Sequence, residues 1–247
     1  MLRRVLLAAL AATAHADSCG CGVQLRPGES AAAGETTVLF VRHAQGWHNK
    51  DELELANWHT DDVGKTPKYR DARLTPLGLQ QASALHRRLN TTAAQPPEIV
   101  VVSPLHRTIQ TASLAFAEHP KRFVATELAR ERIAFHTCDW RSPKTALAAE
   151  YAHVDFGLVE HDDDVMWTNA KEVEPTQKDS TRCKQRALDL LCWLRRRPEK
   201  RIAVVSHWVF LKHLFSQFPE FPELAENFLN AELRTVTLFD APCGGEL

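Results

Sequence analysis

The sequence predicts an α/β fold, a three-layer α/β/α sandwich around a mainly parallel central sheet. Three observations carry this expectation. Short apolar runs rich in β-branched residues recur at Thr37–Val41, Ile99–Val102 and Ile202–Val205. Runs apolar throughout, rather than alternating, belong to strands covered on both faces. Helical patterns separate them, and strands alternating with helices imply a parallel sheet with helices on each side. A chain of 247 residues, 44% hydrophobic and 25% charged, suits one such domain with a sizeable core.

Residues 1–16 read as a secretory signal peptide. Met1-Leu2-Arg3-Arg4 is a short basic start, Val5–Ala12 is an apolar run too short to span a bilayer, and Ala14-His15-Ala16 has the small-x-small form of a cleavage site. The expected address is the secretory pathway or the exterior, with no stable membrane insertion. Residues 17–36, rich in Gly, Ala, Ser and Glu, read as a flexible leader, which leaves 37–247 as the domain. The polar segment Asn49–Ala72 has no clear period and is expected to cap one end of the sheet as irregular structure. Thr75 is placed to cap a helix with Pro76 in its first position, and Leu79, Ala82, Leu85 and Leu89 follow at helical spacing.

Beyond the strand Ile99–Val102, Ser103-Pro104 is expected to cap a helix running to about Ala117. Phe123–Ala125 reads as a short strand and Glu127–Lys178 as an irregular insertion. A helix over Arg182–Arg196 precedes the strand Ile202–Val205, a further helix runs through Phe215, and Thr235–Phe239 alternates as a terminal strand. The basic run Leu194–Arg201 is read as a solvated helix end stopped by Pro198, not as a nucleic-acid patch. With a formal net charge of −1, no global field recruits nucleic acid or anionic membrane. Six cysteines in a secretory context permit disulfides, but the spacings do not fix the connectivity. Cys192, among leucines, reads as a buried thiol.

Three predicted strands end in residues suited to an anion. The first ends in Arg42-His43 and the last parallel one in Ser206-His207. The middle one leads into Ser103-Pro104-Leu105-His106-Arg107, which puts Arg107 in the first turn of a helix, where the dipole also favours negative charge. Ligands of open α/β sheets sit beyond the carboxyl ends of the strands, so these groups are expected to converge. Guanidinium groups and imidazoles there fit phosphate and a nucleophile or proton carrier.

Leu39-Phe40-Val41-Arg42-His43-Ala44-Gln45 resembles the signature of the histidine phosphatase superfamily, the phosphoglycerate-mutase-like group. Leu74-Thr75-Pro76-Leu77-Gly78-Leu79-Gln80-Gln81-Ala82, Ser103-Pro104-Leu105-His106-Arg107-Thr108-Ile109-Gln110-Thr111-Ala112 and Val204-Val205-Ser206-His207 are similar to its other segments. The stretch Glu127–Ser142 is similar to a plant and fungal branch of broad-range phosphatase-like and mutase-like proteins. The resemblance covers roughly residues 37–240. It implies a phosphoglycerate-mutase-like fold and His43 as the nucleophile that takes the phosphoryl group. It further implies Arg42, Asn49, Arg107 and His207 as phosphate-binding residues, His207 also catalytic, and Glu131 as proton donor to the leaving oxygen.

The expected activity is a metal-independent phosphatase acting on a small phosphomonoester, with no cofactor. A phosphoglycerate-mutase-type transferase is the near alternative, and a non-catalytic phosphate-binding or interaction module the distant one. Departures from the family pattern include Gln45 where Glu is frequent, Trp208 after His207, Ala134 after the acid, and Trp140 where a second basic residue is common. Trp208 is expected to narrow the pocket or give it an aromatic wall. His43, His48 and His59, or His136 with Cys138 and Asp139, lack a zinc spacing, so no metal site is expected.

Overall fold

Each apolar run becomes a strand whose alternate side chains enter opposite cores. In the computed structural model, which describes residues 22–29, 32–58, 62–91, 95–118, 122–169 and 181–240, strand β1 spans Val23–Pro27 and β2 Thr36–Arg42. Helices α1 (Trp47–Glu54) and α2 (Pro76–Thr91) come next, then β3 (Ile99–Val102) and α3 (His106–Ala115). They are followed by β4 (Phe123–Ala125), α4 (Lys144–Glu150), β5 (Val154–Asp155) and α5 (Val165–Asn169). The chain continues through α6 (Thr181–Arg195), β6 (Arg201–Ser206), α7 (Trp208–Phe215) and β7 (Leu233–Asp240).

The sheet order is β1-β7-β2-β6-β3-β4-β5. The strands from β2 to β5 pair in parallel, and only β7 runs antiparallel, between β1 and β2. Val38, Phe40, Ile202 and Val204 pack with α6 and α7 on one face. Leu39, Val41, Ala203 and Val205 pack with residues of α2 and α3 on the other. A two-residue period over strands buried on both sides produces this division.

Thr75 caps α2 as expected, its Oγ1 accepting the Gly78 N–H at 3.0 Å. That end of the helix is locked onto the loop after β2. Thr75 N–H donates to the Gln45 carbonyl at 2.9 Å, and its hydroxyl donates to Gln45 Oε1 at 2.7 Å. Gly78 makes the approach possible, since a Cβ there would lie 2.2 Å from the same carbonyl.

Several expectations need correction. The segment 17–36 is not wholly a leader: Val23–Pro27 pairs with β7, burying Val23 and Leu25 against the α6 side. The apolar-polar alternation over Val23–Arg26 is the signal that composition concealed. The segment after Asn49 opens inside α1, and Glu127–Lys178 contains α4, β5 and α5 in its described part. Ser103 does not cap α3, whose N-cap is Leu105 without a side-chain bond. Cys192 is disulfide-bonded rather than a free thiol, while Cys138 and Cys183 are free and buried. The basic run is neutralised locally, with Arg195 on Asp240, Arg197 on Glu199 and Arg201 on Glu29. The proposed signal peptide, His59, Cys19, Cys21 and Cys243 lie outside the described residues. Among the described residues, no helix is long and apolar enough to cross a membrane.

Candidate functional site

Strands β2, β6 and β3 are neighbours, so their carboxyl ends bring Arg42-His43, Ser206-His207 and Ser103 to one edge. His43 continues the ladder one residue past β2, its N–H donating to the Ser206 carbonyl at 2.9 Å. Its own carbonyl accepts from Ala231 N and Asn230 Nδ2. Ala231 supplies that contact from a left-handed conformation at φ 58°, unusual for a residue with a Cβ. The backbone of the expected nucleophile is therefore fixed from both sides.

The His43 ring is also fixed. Nδ1–H donates to the Ala44 carbonyl at 2.7 Å, which leaves Nε2 without a proton and its lone pair as the nucleophilic position. Arg107, on the first turn of α3 and 1% exposed, aims Nε–H between His43 Nε2 at 3.3 Å and His207 Nδ1 at 3.2 Å. Because His207 accepts through Nδ1, its Nε2–H donates to Ser103 Oγ at 2.8 Å. Burial first, then the nearby Arg107, hold both imidazoles well below the ordinary histidine pKa. The two rings are 5.1 Å apart and neutral at neutral pH.

These groups border a cavity of about 440 Å³, lined by Arg42, His43, Asn49, Arg107 and Glu131. The Arg42 guanidinium donates to the Phe228 carbonyl, and burial lowers its pKa. Asn49 Oδ1 accepts the Gly46 N–H at 3.1 Å, leaving its amide hydrogens as the donors for an anion. Glu131 sits at the N-terminus of α7. Its Oε1 accepts from Phe210 N and Arg132 N, both at 2.7 Å, and its Oε2 from Val209 N at 3.2 Å. His207 belongs to the cluster but lies behind Arg107, fully buried, rather than on the cavity wall. Trp208 forms part of that wall, as its position after His207 suggests. Trp140 does not; it stacks on Trp167 at 6.0 Å and has the Arg70 guanidinium over its ring.

His48, His136, Cys138 and Asp139, candidates in the sequence for a metal site but not for phosphate chemistry, line the cavity. Asp139 accepts from Arg107 Nη2 at 3.0 Å, and burial pushes its carboxyl up to about 7. Among the described residues, no group of three or more His, Cys, Asp and Glu side chains could hold a metal ion. A buried guanidinium, Arg107, and a half-buried one, Arg42, beside neutral imidazoles make a receptacle for a tetrahedral oxyanion.

Comparison with known proteins shows the family and the fold. Residues 38–240 match the family described as "Histidine phosphatase superfamily (branch 1)". A "Phosphoglycerate mutase-like protein" of Arabidopsis thaliana is 34% identical, the match covering 83% of this chain and 84% of that one. The "Phosphomutase-like protein 3" of Candida albicans is 32% identical over 71% of this chain and 58% of its own. Among solved structures, the ecdysone phosphate phosphatase of Bombix mori, in complex with tungstate, shares the fold with a TM-score of 0.52. It is 12% identical, covering 86% of this chain and 95% of that one. Bacillus stearothermophilus YhfR gives the same TM-score of 0.52 at 17% identity, with coverage of 81% and 90%.

Proposed function

The chain belongs to the histidine phosphatase superfamily, branch 1, and is by class a phosphoric monoester hydrolase; from this premise we propose that it hydrolyses a small phosphomonoester through a phosphohistidine on His43, without a metal. One observation carries the reading. The His43 Nε2 lone pair is fixed at the cavity by the Nδ1–Ala44 bond, and burial with two arginines nearby keeps it unprotonated. A neutral imidazole is a competent nucleophile at physiological pH, and the phosphoryl group passes to it as the ester oxygen leaves. Arg42 and Arg107 neutralise the phosphoryl oxygens, the work a divalent cation performs in other phosphoryl-transfer sites. Asn49 adds a neutral donor, and His207 holds Arg107 in position from behind. Glu131 gives the leaving oxygen its proton and then takes one from the water that cleaves the phosphohistidine.

The segment 1–16 supports a place in the secretory pathway, and the disulfide-bonded Cys192 suits an oxidising compartment. The test is acid-quench-free trapping: brief mixing with radiolabelled nitrophenyl phosphate in excess EDTA, followed by alkaline denaturation. The expected result is a base-stable, acid-labile adduct in the native protein and none in His43→Ala, with turnover indifferent to the chelator. An adduct that survives in His43→Ala, or activity that needs a divalent ion, would overturn the proposal. Inorganic phosphate should be the product; transfer to a second substrate hydroxyl would mark a mutase instead.

A further inference from the structure

The imidazole of His48 is buried in the same cavity and is left without a hydrogen bond. It is 7% exposed, its Nδ1 is buried with no partner, and no described residue bonds its Nε2. Buried polar atoms are seldom left this way, and a neutral ring bonded at neither nitrogen leaves one donor and one acceptor unmet. The ring stands 5.7 Å from that of His43, centroid to centroid. It comes from the first turn of α1, beside Asn49.

Its position depends on Gly46. A Cβ on Gly46 would lie 2.8 Å from both Cε1 and Nδ1 of His48, inside contact distance for any real side chain. The glycine is thus a notch that admits one edge of the ring. That edge is the Nδ1–Cε1 side, which leaves Nε2 turned away from Gly46 on a ring that lines the cavity. The proton belongs on Nε2, because an orphaned buried N–H is rarer in proteins than an orphaned acceptor.

We propose that His48 is a further phosphate-binding residue, seated by Gly46, whose Nε2–H donates to a non-bridging oxygen of the phosphoryl group during transfer to and from His43. Burial and the neighbouring Arg107, Arg42 and His136 keep the ring neutral. It therefore remains a donor with one proton and does not compete with the arginines for charge. Arg42 and Arg107 supply the charge; His48 supplies direction to a third oxygen. The proposal rests on His43 as the phosphoryl acceptor.

The experiment combines orthovanadate binding with steady-state hydrolysis of nitrophenyl phosphate in the full chain. Compared are wild type, His48→Ala, His48→Gln, Gly46→Ala and the double variant Gly46→Ala/His48→Ala. Loss of one donor to a developing oxyanion costs on the order of a hundredfold in rate. His48→Ala should lose roughly that factor in kcat and weaken vanadate similarly, with its melting temperature near wild type. His48→Gln, whose amide can reach a similar place, should recover part of both. Gly46→Ala should weaken vanadate alone but add nothing once His48 is gone, since it acts through the ring. Wild-type vanadate affinity in His48→Ala, or an undiminished Gly46→Ala effect in that background, overturns the proposal. Wild-type protein that binds vanadate but forms no phosphohistidine would instead overturn the reading of His43.

Discussion

The proton donor is the residue whose role is most open to experiment, because three carboxyl groups, of Glu52, Glu131 and Asp139, line the cavity, and the last two lie among the residues built into its wall. Glu131 is held by two backbone N–H groups at the head of α7, of Val209 and Phe210, and by that of Arg132, a fixed position for an acid that must meet the leaving oxygen. Asp139 lies against Arg107, held near 7 by burial, a value suited to proton transfer at neutral pH. An alkyl leaving group needs a proton in the transition state, whereas nitrophenolate hardly does. Glu131→Gln is therefore expected to slow alkyl phosphomonoesters by about a hundredfold or more while sparing nitrophenyl phosphate. A selective loss in Asp139→Asn, with Glu131→Gln unaffected, would transfer the role to Asp139. Both substrates use the same phosphate pocket, so a folding defect depresses them together. Arg42, His43 and Arg107 were legible in the sequence because each lies within a few residues of a strand end, where topology alone dictates convergence. His48 and Asp139 were not, since the first depends on a glycine notch and the second on the path of a long connection.

That connection shows why irregular sequence need not mean loose structure. Residues 127–164 have little periodicity, but buried arginines replace the hydrogen bonds that a sheet or helix would provide. Arg141, 1% exposed, donates to the carbonyls of Ser142, His161, Asp162 and Asp163, and through Nε to Glu127 at 2.9 Å. Arg130 pairs with Asp164 through both Nη atoms, at 2.9 and 2.8 Å. Arg186 reaches across from α6 to the carbonyls of Arg130 and Glu131, tying the candidate acid to the helical layer. None of this has a sequence period, so the segment reads as an insertion until its arginines are seen to be inside. Arg141→Ala takes a donor from four carbonyls and from Glu127; Asp162 and Asp163 keep backbone donors and Glu127 keeps Arg130, but the Ser142 and His161 carbonyls lose the guanidinium bonds they have. The expected cost is about 3–5 kcal/mol, as when one partner of a buried pair is removed. Arg141→Lys is expected to recover little, because an ammonium cannot span the same fan of acceptors. Urea unfolding measures both; a cost below about 1 kcal/mol for Arg141→Ala would show that water replaces the guanidinium easily.

Across the whole molecule, the packing that makes the site reactive also sets how the protein responds to acid. The α/β/α layering follows directly from runs such as Leu39–Val41 and Ile202–Val205, whose burial on both faces needs helices on each side. The same enclosure desolvates three imidazoles, His43, His48 and His207, and holds each well below the ordinary value near 6.5. In the unfolded chain they take up protons as pH falls through about 6.5, while in the folded protein they do not. Stability attributable to them is intact above that pH and falls on acidification, by up to about 1.4 kcal/mol per pH unit for each ring. Asp139 works in the opposite sense. Its folded value, near 7, lies above the unfolded one of 3.8, so its stabilising contribution is present at low pH and is lost as pH rises through 7. Three imidazoles outweigh one carboxyl, so net stability is expected to decline from pH 7 towards pH 5. Urea midpoints measured across that window test the balance. His106 and His213 are also lowered by burial and act in the same sense, so His48→Gln should flatten the decline by less than a third of the histidine contribution. A midpoint unchanged between pH 7 and pH 5 would mean that the imidazoles are protonated in the folded protein, and His43 could not then be a nucleophile at the acid end of that range.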